Sequence, residues 1–183
     1  MKHLILIIFL TFTYNQTFAQ EEGPKELTTQ KLQKIRADIE KQIPDLKQSL
    51  SDQDFSSRQI EFAIDTFRIE RLAAERMNID YSTSGMNFAI NELTDSYDKL
   101  LNKYYNKLIK LLDPEDKKVL LNAQKAWLVF RDSERIFIRT MTKEKYSGGG
   151  TIQSNIASDR FSQLVIQRTK DIFDYYDNTL KGE

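Results

Sequence analysis

Apolar residues recur at intervals of three and four along most of this chain, the spacing that keeps one face of an α-helix apolar. From Glu26 to Ile43 they fall at Leu32, Ile35, Ile39 and Ile43, and Pro44 then interrupts the pattern. A second helix is predicted over 56–77, with Ile60, Ala63, Ile64, Phe67 and Ala74 facing inward. Asp80-Tyr81-Ser82-Thr83-Ser84-Gly85 reads as a connection, because short polar side chains there compete with the backbone for hydrogen bonds. The third helix has the cleanest stripe: Met86, Ile90, Leu93, Tyr97, Leu101, Tyr104, Leu108 and Leu111.

A fourth helix is announced by Asp113-Pro114-Glu115-Asp116. Asp113 is placed to cap orphan amides, Pro114 suits the first helical position, and the acids suit the positive end of the helix dipole. Its apolar positions are Leu120, Ala123, Trp127, Phe130, Phe137 and Met141. Tyr146-Ser147-Gly148-Gly149-Gly150 should end it, since each glycine costs about 1 kcal/mol relative to alanine in a helix. Thr151 is placed to cap a last helix carrying Ile156, Phe161, Leu164, Val165, Ile172, Tyr175 and Tyr176. The pattern predicts an all-α fold, an antiparallel bundle of about four main helices with an additional N-terminal helix. Residues 20–52 form a helical extension in this reading and 53–183 the main domain.

The first nineteen residues stand apart from this pattern. Lys2 supplies a charged start, Leu4 to Leu10 an apolar run, and Thr17-Phe18-Ala19 a small-residue ending, which together predict a secretory signal peptide cleaved between Ala19 and Gln20. The run falls short of the ~20 apolar residues of a membrane span, and no later stretch reaches that length. A lipid anchor would need a cysteine at the cleavage point, and the sequence has none. The expected location is periplasmic or secreted. Cleavage leaves 164 residues and removes one lysine, so 26 basic residues face 27 acidic ones. That near-neutral balance gives no field favouring nucleic acid or an acidic membrane. Without cysteine there is no disulfide framework, and stability must come from a single core.

Missing residue types narrow the chemistry further. The only histidine, His3, lies in the predicted leader. A mature chain without histidine or cysteine excludes a Ser-His-Asp triad, a cysteine nucleophile and every metal site built on imidazole or thiolate. Carboxylates could still serve a glycosidase or an oxygen-ligand calcium site, but Asp113-Pro114-Glu115-Asp116 lacks calcium-loop spacing and is explained by capping. No catalytic residue, metal or cofactor is expected, and the chain reads as a binder of a protein partner.

Three constellations are candidates for recognition. Trp127 and Arg131 stand at i and i+4 on one helix face, with Asp132 turned away. They are either an exposed anchor or a core tryptophan with Arg131 stacked on it and paired with an acid such as Asp98. Asp98, Asn102 and Tyr105 flank the third stripe, where polar residues satisfy one another, fix helix register or bind. The segment Tyr146, Ser147, Gly148, Gly149, Gly150 and Thr151 is either a plain connector or a contact loop, with accessible amides beside an aromatic tip. The loop is the preferred partner-binding segment, and the other six residues read as structural.

Several blocks occur in a specific order: STSGMN at 82–87, DKLLNKYYNKL at 98–108, AQKAWLVFRDSE at 123–134, SGGGTIQ at 147–153 and QRT at 167–169. In that order and spacing they resemble the family named for the lysozyme inhibitor LprI, small exported helical proteins. The resemblance covers about half the chain, from Tyr81 to Thr169. It implies an all-helical export domain over 53–183 and a non-catalytic protein inhibiting lysozyme. The alternative is a cell-envelope structural or interaction module without that activity; its oligomeric state is left open. Where the resemblance implies cysteines, this chain has Ala89, Arg135 and Arg160. The two arginines cannot share a disulfide's buried place, so at least one should reach solvent or an acid such as Asp159.

Overall fold

The computed structural model describes residues 23–180; the predicted signal segment and its cleavage point lie outside them. Seven helices follow in order: α1 (Thr29–Glu40), α2 (Ile43–Ser51), α3 (Ser57–Ile79), α4 (Thr83–Leu111), α5 (Pro114–Met141), α6 (Glu144–Ser147) and α7 (Ile152–Thr179). The all-α bundle with four long helices and an N-terminal helical arm is as predicted, and no strand occurs among the described residues.

Helix boundaries follow local chemistry. Thr28 caps α1 by accepting from the Lys31 amide. Pro44 does more than stop that helix, because it sits in the first turn of α2, where its missing amide hydrogen costs nothing. Ser56 and Gln59 form a reciprocal capping box at the start of α3. The predicted connection over 80–85 is shorter than expected: Ser82 Oγ accepts from the Gly85 amide, so α4 already begins at Thr83. Two expected caps differ. Asp113 and Thr151 occupy N-cap positions, yet neither side chain makes a capping bond. At Asp113 the proline and the first-turn acids Glu115 and Asp116 are what favour the start.

Successive long helices run antiparallel, so α4 and α7, two steps apart in sequence, run parallel and form the centre. Their registration is shown by Asn87 Nδ2 donating to Ser154 Oγ at 2.8 Å and by Thr169 Oγ1 reaching Tyr97 O at 3.2 Å. Small buried residues on α7, Ser162 and Thr169, let these helices approach closely. α3 closes one side. Phe62 stacks on Phe173 with ring centroids 4.0 Å apart, and Tyr104 meets both edge-on at 5.3 and 5.1 Å. Arg58 and Gln59 secure the same seam, donating to the two oxygens of buried Asp177 at 3.0 and 3.1 Å. α1 rests on α3, where Arg68 grips Glu40 through two hydrogen bonds of 2.6 Å.

α5 lies on the other side and leans on α7 along one face only. Leu120 and Trp127 pack against the core and Ile138 is buried. Phe130 and Phe137, expected in the inward stripe, instead face outward, as does Tyr175 on α7.

Candidate functional site

The polar residues singled out from sequence fall into two neighbouring places, the middle of the α4–α5–α7 seam and the end of the bundle where α5 turns into α7. In the middle, Trp127 is half-buried against the core with two guanidinium groups over its ring: Arg131 at 5.4 Å and Arg168 at 5.9 Å. Arg131 lies 3.7 Å from Asp98 on α4 and 2.7 Å from Asp132, its chain neighbour. Arg168 is held in turn by Gln124, whose Oε1 accepts from Nε at 3.1 Å. Trp127 thus packs against the core with Arg131 stacked on it and reaching Asp98. Asn102 donates back to the Asp98 carbonyl at 2.9 Å and so serves its own helix. Tyr105 packs against the core beside it and joins neither residue.

Further along the seam, α4, α5 and α7 part to leave two neighbouring cavities of about 360 and 320 Å³. Thr94, Asp95, Arg135 and Phe161 line both; Arg139 and Ser158 extend the first toward the turn, and Asp98, Lys99 and Arg131 line the second. Arg135 lies over the Phe161 ring at 4.6 Å. Sequence reading did not single out this cleft, although its signal was present: Arg131, Arg135 and Arg139 are spaced by four and stand on one helical edge. Arg168 and Phe161 carried no local signal, because α7 brings them in from about thirty or more residues away.

At the end of the bundle the α3–α4 connection meets the turn into α7. Asp80 is buried and accepts from the Lys25 amide at 2.8 Å and the Ser82 amide at 3.0 Å. These bonds, the one from Lys25 foremost, hold its carboxyl below the usual aspartate range. A Cβ on Gly85 would fall inside the Asp80 carboxyl and force it to move. Asn155 Nδ2 donates to the Thr83 carbonyl at 3.3 Å, and the Thr83 and Thr151 hydroxyls lie 3.5 Å apart.

The turn itself is built by its glycines. Gly148, Gly149 and Gly150 have φ of 78°, 80° and 91°, in the region that side chains disfavour. Gly148 ends α6 in the left-handed conformation, its amide donating to Glu144 O at 2.8 Å. Ser147 Oγ accepts from the Gly149 amide at 3.1 Å and donates to Thr142 O at 3.0 Å, which fixes the loop to the end of α5. Tyr146 projects from this turn with half its surface exposed, Lys145 poised 4.6 Å from its ring. The loop candidates are therefore a shaped tip at one end of the molecule, adjoining the arginine-lined cleft.

Comparison with known families decides the relationship. The family model described as Lysozyme inhibitor LprI matches residues 73–172, more than half of the chain. The chain belongs to the LprI family. The matched span runs from the last third of α3 into the second half of α7 and includes the turn, the cleft and the tryptophan cluster. No curated protein and no solved structure matches the chain. The three positions at which the resemblance implies cysteine differ in their surroundings in this LprI-family chain. Ala89 is fully buried on α4, Arg160 is exposed, and Arg135 uses its guanidinium on Phe161 at the cleft rim. The arginines thus avoid burial as an unpaired couple.

Proposed function

We propose that this protein is an exported, non-catalytic binding protein that inhibits a lysozyme, with residues 146–151 as the segment that meets the enzyme. The single observation carrying this reading is that the 82–87 block meets Thr151 and the first turn of α7 at the end of the bundle from which exposed Tyr146 projects. An inhibitor needs a rigid scaffold and a projecting tip, and no reacting group. Tyr146 offers contact area at small entropic cost. Lys143 and Lys145 beside it, with Arg139 one turn back on α5, supply positive charge suited to the paired carboxylates by which glycosidases act. Residues 53–183 form the binding domain in this reading, and cleavage near Ala19–Gln20 releases it to the periplasm or the exterior.

Lysis of peptidoglycan by lysozyme, followed by turbidity with and without the purified chain, tests the proposal. Slower lysis that saturates with added protein is expected, and the chain alone should release no peptidoglycan. Unchanged lysis would reject inhibition and leave a binding module of the envelope; release by the chain alone would reject the non-catalytic reading.

A further inference from the structure

The side of α5 turned away from α7 carries large apolar residues between Val119 and Phe137, interrupted by Asn122 and bounded by the Glu115–Lys118 ion pair at its start. Val119, Val129, Phe130, Ile136 and Phe137 are 66%, 69%, 52%, 69% and 55% exposed, with Ala123, Ala126 and Ser133 between them. In a helix these positions form one stripe. The five large side chains expose on the order of 500 Å² of apolar surface, at the upper end of what a monomer leaves in one patch. With the small residues and the stem of Lys125 added, the stripe approaches the ~800 Å² per partner of a stable interface.

We propose that this face pairs with the same face of a second copy, the two α5 helices running antiparallel about a two-fold axis near residue 128. The central line of the stripe is complementary to its own reverse, while Val129 and Ile136 flank it without a mirror partner on this face. Val119 and Phe137 lie nine residues either side of 128, Ala123 and Ser133 five, and Ala126 and Phe130 two. Pairing about that point sets Phe130 of each copy against Ala126 of the other and Phe137 against Val119, so large side chains enter places left by smaller ones. The small residues near the axis permit the 8–10 Å helix separation of close packing. Charge agrees with the same register. Lys125 and Asp132 lie on one edge of the stripe, both exposed, and the two-fold brings each beside its opposite in the other copy. A partner of unrelated sequence would require no such mirror order within a single helix. The pairing leaves the 146–151 turn uncovered and places one turn at each end of the dimer; it is independent of lysozyme binding.

The cysteine-free chain makes the test direct. Sedimentation of the full mature protein from about 1 to 100 μM is expected to show a concentration-dependent rise to twice the monomer mass. Phe130→Asp should hold it monomeric with an unchanged helical circular dichroism spectrum. Val129→Cys would then sit ~3 Å along the axis from its own copy and close as a disulfide under mild oxidation. Val119→Cys, ~27 Å from its copy, should not, yet should cross-link when mixed with Phe137→Cys. A monomer at 100 μM, a Phe130→Asp protein that still dimerises, or Val119→Cys closing on itself as readily as Val129→Cys would each overturn the proposal.

Discussion

α4 and α5 are nearly equal in length, 29 and 28 residues, and both carry helical apolar stripes, yet α4 buries eight residues and α5 only one. The difference lies in their neighbours. α4 has α3 on one side and α7 on the other, so Tyr97, Leu101 and Tyr104 are enclosed. α5 meets α7 along one edge and touches α4 through polar reach, as between Arg131 and Asp98. Amphipathicity alone therefore does not say how much of a helix holds the fold together. The α3–α4–α7 unit is the scaffold; α5 and the turn that follows it carry the accessible chemistry.

Truncations in the scaffold should produce the largest effects. Phe173→Ala removes the ring stacked on Phe62 and edge-on to Tyr104, and should cost about 4 kcal/mol in urea unfolding. Phe137→Ala on the outer face of α5 should change monomer stability by less than about 0.5 kcal/mol. Comparable losses at the two sites would break the division between scaffold and surface.

Next in size is the buried ion pair at the α3–α7 seam. Asp177→Ala strands Arg58 and Gln59 and should cost about 3 kcal/mol, read from the same denaturation curves. Gly85→Ala follows at about 2 kcal/mol, because the added methyl displaces the Asp80 carboxylate from the Lys25 and Ser82 amides. Trp127→Phe, which keeps a ring beneath Arg131 and Arg168, should cost about 1 kcal/mol by thermal unfolding.

The smallest effect is electrostatic. Burial alone would raise Glu61, but hydrogen bonds and charge from Lys103 and Lys107 outweigh it and leave its carboxyl below the ordinary value of 4.5. A lowered folded value means the unfolded chain binds the proton more readily. The stabilisation is therefore present above pH 4.5 and lost as pH falls through the lowered value. Glu61 and Lys103 are more than a third exposed and Lys107 nearly so, and the gain should stay below about 1 kcal/mol. Urea curves for wild type and Glu61→Gln should differ at pH 6 and converge as the acid form is reached; a gap that widens toward low pH would contradict the sign.

Much of the scaffold was legible because its stripes are bounded by proline, glycine and capping residues, and because Trp127 and Arg131 are neighbours on one helix. What escaped was the choice between two faces. On α5 the set Val119, Ala126, Phe130 and Phe137 has helical spacing as regular as Leu120, Trp127 and Ile138. Periodicity cannot tell which set meets a neighbour, and by itself it places Phe130 and Phe137 inward. The cleft escaped for a related reason. Arg135 finds Phe161 through the antiparallel return of α7, and only the fold brings those residues together.

The central claim is that recognition belongs to the turn after α5 and not to the scaffold. Calorimetric titration of lysozyme with the wild-type chain and with Tyr146→Ala tests it most directly, each protein's melting temperature being recorded alongside. The account predicts saturable binding by the wild type and at least a tenfold weaker association for the variant at unchanged melting temperature. Equal affinity of the two proteins, or no binding by either, would contradict it.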